Sequence, residues 1–474
     1  MLDLSPDQFR ELGYRAIDLL AEQLAAAREA PARRPLPDEL RQRLLHQPLP
    51  AGEGDPADLI EAVARDILPY PLGNSSPRFF AWVNSPPAPL GVLAELLAAG
   101  LNSSVAGGDH AATYVEHAVL NWLKALVGYP ADSGGILASG GSVANLIALA
   151  VMRTVKAQGD VRVHGVQAEA APMVVYTSNQ GHSCLQKAVE LLGLGHHYLH
   201  QIPVDADYRL EVSLLKAQIK ADRKAGLRPV CVAASAGTVN TGAIDPLDAI
   251  ADLCEEERLW FHVDGAYGGF GVLAKQTEGL YRGMERADSL AVDPHKWLYV
   301  PVECGCVFVR DALAMRNTFS VVPPYLRDDR ALPWFAEFGP QQSRGFKALK
   351  LWLTLQQIGE QGYRQLITRD VALARALQER IERREDFEMV AAGPLSVTCF
   401  RYAPPGRRDL DSLNRRLLEV VQREGQVFLT STELHGRLVL RACIVNFRTE
   451  EKDLDLLLDV IAEAGRKVID QPLS

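Results

Sequence analysis

The chain has 474 residues, 47% of them apolar and 23% charged, proportions that exclude wholesale disorder. Its net charge of −9 argues against a general nucleic-acid or anionic-membrane binder. Its seven cysteines include no CxxC pair, so neither a disulfide framework nor a zinc module organises the fold.

The start, MLDLSPDQFRELGYRAIDLL, carries acids and no apolar h-region, so no secretory leader is expected. Ser5-Pro6 predicts an N-cap with proline at the first helical position. Phe9, Leu12, Ala16, Leu19 and Leu20 then recur at helical spacing. A proline-rich connection from Pro31 to Pro56 leads to a second helix over Pro56–Leu68. Both helices leave an apolar face that packs either on their own domain or on another subunit. The segment Ser75–Pro89, SSPRFFAWVNSPPAP, is aromatic and broken by prolines, which excludes a regular helix or central strand. It reads as a core-filling loop or a pocket wall.

The uncharged run Gly134–Met152 is interrupted by glycines, serines and an asparagine and is not read as a membrane span. A cytoplasmic protein with no membrane or nucleic-acid partner is therefore expected. From Gly134 to Arg310 short β-rich runs alternate with helical stretches. The strands fall at Met173–Thr177, Val230–Ala234, Trp260–Val263 and Gly305–Val309, and the helices at Ser142–Lys156, Cys184–Leu192, Leu210–Ala225 and Pro246–Glu257. Such alternation predicts an α/β fold with a mostly parallel sheet, whose ligands sit at the carboxyl ends of the strands. After Phe346 a long helix is expected, and from Asp370 a smaller α+β domain. The expected organisation is a helical arm over 1–75, a large α/β domain over 76–369 and a small domain over 370–474.

Four features in the α/β part could carry chemistry. Lys296, in AVDPHKWLYV, has apolar neighbours that would desolvate it and favour its neutral amine, able to form a Schiff base. The alternative is an ordinary surface lysine. Asp264, in LWFHVDGAYGGF, ends an apolar strand, where it could hold a pyridinium nitrogen, bind a metal or cap a turn. Gly265, Gly268 and Gly269 after it would let the backbone approach a flat ligand. In ASGGSVANLIAL, two glycines and Ser142 open a helix, a phosphate cradle that is neither a P-loop nor GxGxxG. His182, in YTSNQGHSCLQKAV, could stack on a planar ring or cap the next helix. Each signal is weak alone. Together they are the groups a pyridoxal phosphate enzyme needs.

The run HVDGAYGG, followed by DPHKWLY, resembles the group II pyridoxal-phosphate-dependent decarboxylases, the aromatic-L-amino-acid decarboxylase-like family. The resemblance runs from FRELGYRAIDLL through SPRFFAW and the SGGS turn to LVLRACIVNFRT, nearly the whole chain. It implies the fold of the PLP-dependent transferases (fold type I) and a homodimer with the site at the subunit interface. It implies that Lys296 bonds the cofactor, Asp264 pairs with the pyridine nitrogen, and His182 and Ala266 cover the two ring faces. It further implies that Gly141, Ser142 and His295 help bind the phosphate, and that Thr238 lies near the cofactor. Tyr325, in VVPPYLRDD, corresponds to a loop tyrosine that returns a proton to carbon, where phenylalanine is linked to aldehyde synthesis.

The chain departs from the family at Val143, in place of an acid, and at Val239, in place of a second threonine, with Asn240 next. The position before PHK is Asp293, where the family has asparagine or aspartate. The expected reaction is α-decarboxylation of an L-amino acid. Phe80, Trp82 and Val83 are expected to form a wall for an aromatic or bulky apolar side chain. Arg344 leaves an acidic substrate open. Oxidative decarboxylation to an aldehyde, a lyase on the same fold and a cofactor-binding protein without turnover are the competing readings.

Overall fold

The structure is a computed structural model that describes residues 3–321 and 332–470. It divides into two units: residues 83–375 with 391–398, and residues 1–82 with 376–390 and 399–474. The arm expected over 1–75 and most of the segment expected from 370 onward thus cluster into one unit.

The larger unit is built on a seven-stranded sheet. Its strands are β1 (Gly134–Ala138), β2 (Met173–Ser178), β3 (Leu199–Ile202), β4 (Arg228–Ser235), β5 (Trp260–Gly265), β6 (Ser289–Val292) and β7 (Gly305–Val309). The order is β1-β7-β6-β5-β4-β2-β3. Strands β3, β2, β4, β5 and β6 pair in parallel, and β7 runs antiparallel to both β6 and β1. Strands β1, β2, β5, β6 and β7 are buried along their whole length. That explains their continuous apolar runs, since helices cover both faces of a parallel sheet.

Three strands of this sheet, β1, β3 and β6, are not predicted from the sequence. Strand β1 opens with two glycines, and a Cβ on Gly135 would lie 2.7 Å from Phe308 Cδ1, so glycine is there to admit a neighbouring ring. Strand β3 is a short edge strand carrying His200 and Gln201, and β6 is only four residues long. Neither offers enough period to read.

The smaller unit contains the helix Pro6–Ala26, with the expected cap. Ser5 Oγ accepts from Gln8 N, and Gln8 Oε1 accepts from Ser5 N. A four-stranded sheet of β8 (Phe387–Ala392), β9 (Val397–Tyr402), β10 (Thr430–Leu434) and β11 (Arg437–Cys443) has the order β10-β11-β9-β8. The helix predicted after Phe346 spans Ala348–Glu382 and is broken at Gly359, whose φ of 66° is left-handed. All seven cysteines are free and buried. Among the described residues no helix is long and apolar enough to cross a membrane, and no group of three or more acidic, histidine or cysteine residues could hold a metal ion.

Candidate active site

One cavity of about 310 Å³ opens where the parallel strands end. Its lining includes Gly141, Ser142, His182, Thr238, Asp264, Ala266, His295 and Lys296. These residues come from the ends of five different strands, and the sheet brings them together. Strand β1 leads into Gly141, β2 into His182, β4 into Thr238, and β6 into His295 and Lys296, while Asp264 lies on β5 itself. Register fixes the middle of the site: Asp264 is paired with Ser235 of β4 on one side and Ala291 of β6 on the other.

The 16-residue helix Gly141–Lys156 points its N-terminus at the cavity. Its first N–H groups have no intrahelical acceptors and suit an anion. Gly141 is required by packing, since a Cβ there would lie 2.7 Å from Ala266 Cβ and 2.8 Å from Asp293 Oδ2. Ser142 is exposed on the same turn.

Asp264 is 7% exposed, and its Oδ1 accepts from Ala266 N at 3.1 Å. His182 Nδ1 accepts from Cys184 N at 3.2 Å, which leaves Nε2 to carry the proton. Burial pushes the His182 imidazolium down, so the ring is neutral. His295 Nδ1 donates to Cys304 O at 2.7 Å, and burial lowers this imidazole as well. The Thr238 hydroxyl is used within its own turn, 2.9 Å from Thr241 Oγ1 and 3.2 Å from Ala243 N. Val239 lines the cavity, and the Asn240 amide donates to Gln180 Oε1.

Two expectations are corrected. Lys296 was expected to be driven neutral by burial. Burial does pull it down, but Asp293, with Oδ2 3.0 Å from Nζ, and Asp264 outweigh it, and the net shift is upward. The isolated lysine is held as an ammonium. The second correction concerns the glycines after Asp264. A Cβ on Gly268 would lie 2.3 Å from Ala236 O, and one on Gly269 2.8 Å from Val292 Cγ1. They admit neighbouring protein rather than a ligand.

Tyr325 lies outside the described residues. Phe80, Trp82 and Val83 are not among the residues lining the cavity. Phe80 and Val83 are buried, while Trp82 is 44% exposed and packs on Phe79 and Phe428. Arg344 is also buried. It donates to Glu116, Val105 O and Leu137 O, so its guanidinium is spent inside the protein.

Sequence reasoning gave no role to Asp293 and missed the residues that support the site from behind. Asp293 is 1% exposed, and its Oδ1 has no hydrogen-bond partner among the described residues. His262 is fully buried behind the site. Its Nε2 donates to Asn145 Oδ1 at 2.6 Å, and Asn145 Nδ2 donates to Cys184 Sγ at 3.4 Å. Ser289 Oγ, at 2.8 Å, donates to His262 Nδ1 while accepting from Trp260 Nε1. Burial pushes His262 down to about 4, which keeps it neutral. The signal was present in HVDG, where His262 stands two residues before Asp264 on the same side of the strand.

The donor set fits pyridoxal phosphate. A helix N-terminus with free N–H groups, a buried carboxylate and a lysine share one cavity, and the buried Asp293 Oδ1 has no hydrogen-bond partner among the described residues.

Comparison with known proteins agrees. Residues 37–403 match the model of the pyridoxal-dependent decarboxylase conserved domain. The chain is 35% identical to an aromatic-L-amino-acid decarboxylase of Bacillus atrophaeus, over 99% of this chain and 98% of that protein. It is 29% identical to a phenylacetaldehyde synthase of Petunia hybrida, over 97% of this chain and 94% of that one. The crystal structure of Oryza sativa TDC with PLP and tryptamine superposes with a TM-score of 0.91 at 26% identity, covering 98% of this chain and 99% of that one.

Proposed function

Because the chain belongs to the pyridoxal-dependent decarboxylase family, and is a pyridoxal-phosphate-dependent amino-acid decarboxylase of fold type I, we propose that it removes the α-carboxylate of an aromatic L-amino acid and releases the amine. The observation that carries this reading is the convergence of Lys296, Asp264, His182 and the Gly141 helix N-terminus on one cavity.

When bound, pyridoxal phosphate supplies the electron sink for the pair that the departing carboxylate leaves behind. Lys296 is the amine that would bond the cofactor aldehyde. Asp264 would hold a proton at the pyridine nitrogen, and its burial strengthens that charge interaction. His182 and Ala266 would cover the two ring faces. Gly141, Ser142 and His295 would hold the phosphate, with Thr238 beside the cofactor. Tyr325 is the proton donor to carbon in this reading.

The aromatic preference is supported by charge. Lys296 is the only lysine or arginine among the described residues lining the cavity, and Glu303 adds a carboxylate there. Among this chain's described lining residues, a second substrate carboxylate meets no lysine or arginine besides Lys296, and Arg344 is engaged elsewhere. The relatives include tyrosine and tryptophan decarboxylases. Exposed Phe9, Tyr14, Leu20 and Leu24 on the first helix support a homodimer, which light scattering at twice the chain mass tests.

The functional test is incubation with individual L-amino acids. Carbon dioxide and an aromatic amine in equal amounts support the reading. Aldehyde with ammonia would favour the oxidative alternative that the phenylacetaldehyde synthase relative keeps in view.

A further inference from the structure

Lys296 sits in a helical turn of only four residues, Pro294–Trp297, too short to fix it by its own hydrogen bonds. The fixing groups come from farther along the chain. Asp370, on the helix Ala348–Glu382, is 1% exposed. Its Oδ2 accepts from Trp297 Nε1 at 2.9 Å and from the Tyr299 hydroxyl at 2.7 Å. Two turns earlier on that helix, the Tyr363 hydroxyl donates to Leu298 O at 2.9 Å. One helix face therefore holds residues 297, 298 and 299 in succession. Tyr299 has a φ of 56°, a left-handed conformation costly for a tyrosine, and the Asp370 contact holds it there.

The chain of contacts continues to the other side of the site. The Trp297 ring stacks on Tyr267, with centroids 5.3 Å apart and planes 25° apart. Tyr267 lines the cavity and follows Ala266 in the loop that leaves β5. Its hydroxyl meets Ser396 Oγ at 2.7 Å. One carboxylate thus ties down the lysine's turn and, through Trp297, braces the loop next to Asp264. Burial pushes Asp370 up to about 7, a cost that simple filling of the core would not require.

We propose that Asp370 is a positioning residue for the cofactor: it fixes the Lys296 turn against the loop bearing Ala266 without touching any reacting group. The inference rests on the reading of Lys296 as the cofactor-bonding lysine.

The test uses the holoenzyme and reads the cofactor as well as turnover. Asp370→Ala should raise the dissociation constant for pyridoxal phosphate at least tenfold. It should also cut the visible circular dichroism per bound cofactor more than twofold, because the Lys296 turn and the Ala266 loop are no longer held in one arrangement. Asp370→Asn keeps an accepting oxygen and should stay within threefold of wild type on both measures. Should Asp370→Ala fail to fold, Tyr299→Phe removes one of the two donors and should still lower the dichroism per cofactor about 1.5-fold. Unchanged affinity and dichroism in the folded variants overturn the proposal. A wild-type enzyme that gains no visible band with the cofactor overturns the Lys296 reading first, and the proposal with it.

Discussion

Lys296 Nζ lies 3.0 Å from Asp293 Oδ2, an ion pair between residues three apart at the edge of the cavity. A lysine raised by its partner keeps that stabilisation throughout the ordinary pH range and loses it only as pH climbs through the raised value. The amine must give up its proton before it can attack an aldehyde. Asp293→Asn removes the main opposing charge and leaves burial to act alone. The pH midpoint of cofactor capture, followed by visible absorbance, should then fall by at least about one unit. An unchanged midpoint would show that Asp293 does not control the lysine.

Arg344 and Glu116 form a buried pair, 5% and 0% exposed. Removing one partner leaves an uncompensated charge, so Arg344→Met should lose about 3–5 kcal/mol in denaturant unfolding. Adding Glu116→Gln should recover part of the loss. The single variant should leave the ranking of aromatic over acidic substrates unchanged. A switch in that ranking would mean that Arg344 reads the substrate.

Asp370 gives a pH signature of its own. Its folded value near 7 lies above the unfolded carboxylate range, so the folded chain holds a proton that the unfolded chain has released. Stability should therefore fall as pH rises from about 4 to 7 and level off above, by up to about 4 kcal/mol from this group. Asp370→Asn should flatten that slope in thermal melts between pH 5 and 8. A slope equal to that of the wild type would place the titration elsewhere.

Much of the site was legible because its groups are local. Asp264 ends a continuous apolar strand, the Gly141 turn opens a periodic helix, and Lys296 sits in a rare pentapeptide. What escaped was pairing across the chain. Asp293 matches the residue types the motif allows, which gives no hint that it is the lysine's partner and reverses the expected sign of the lysine's shift. Arg344 could not be placed until Glu116, 228 residues away, was seen beside it. Asp370 contacts residues 71 and 73 positions earlier, a distance no periodicity reports. Short β3 and β6, and glycine-led β1, lacked the pattern that betrays a strand.

Borohydride reduction of the cofactor-loaded enzyme, followed by peptide mapping, tests directly whether Lys296 bonds the cofactor. The pyridoxyl group should be recovered on Lys296, and a Lys296→Ala enzyme should yield no labelled peptide. Label on any other lysine, or equal label in the variant, would contradict that role.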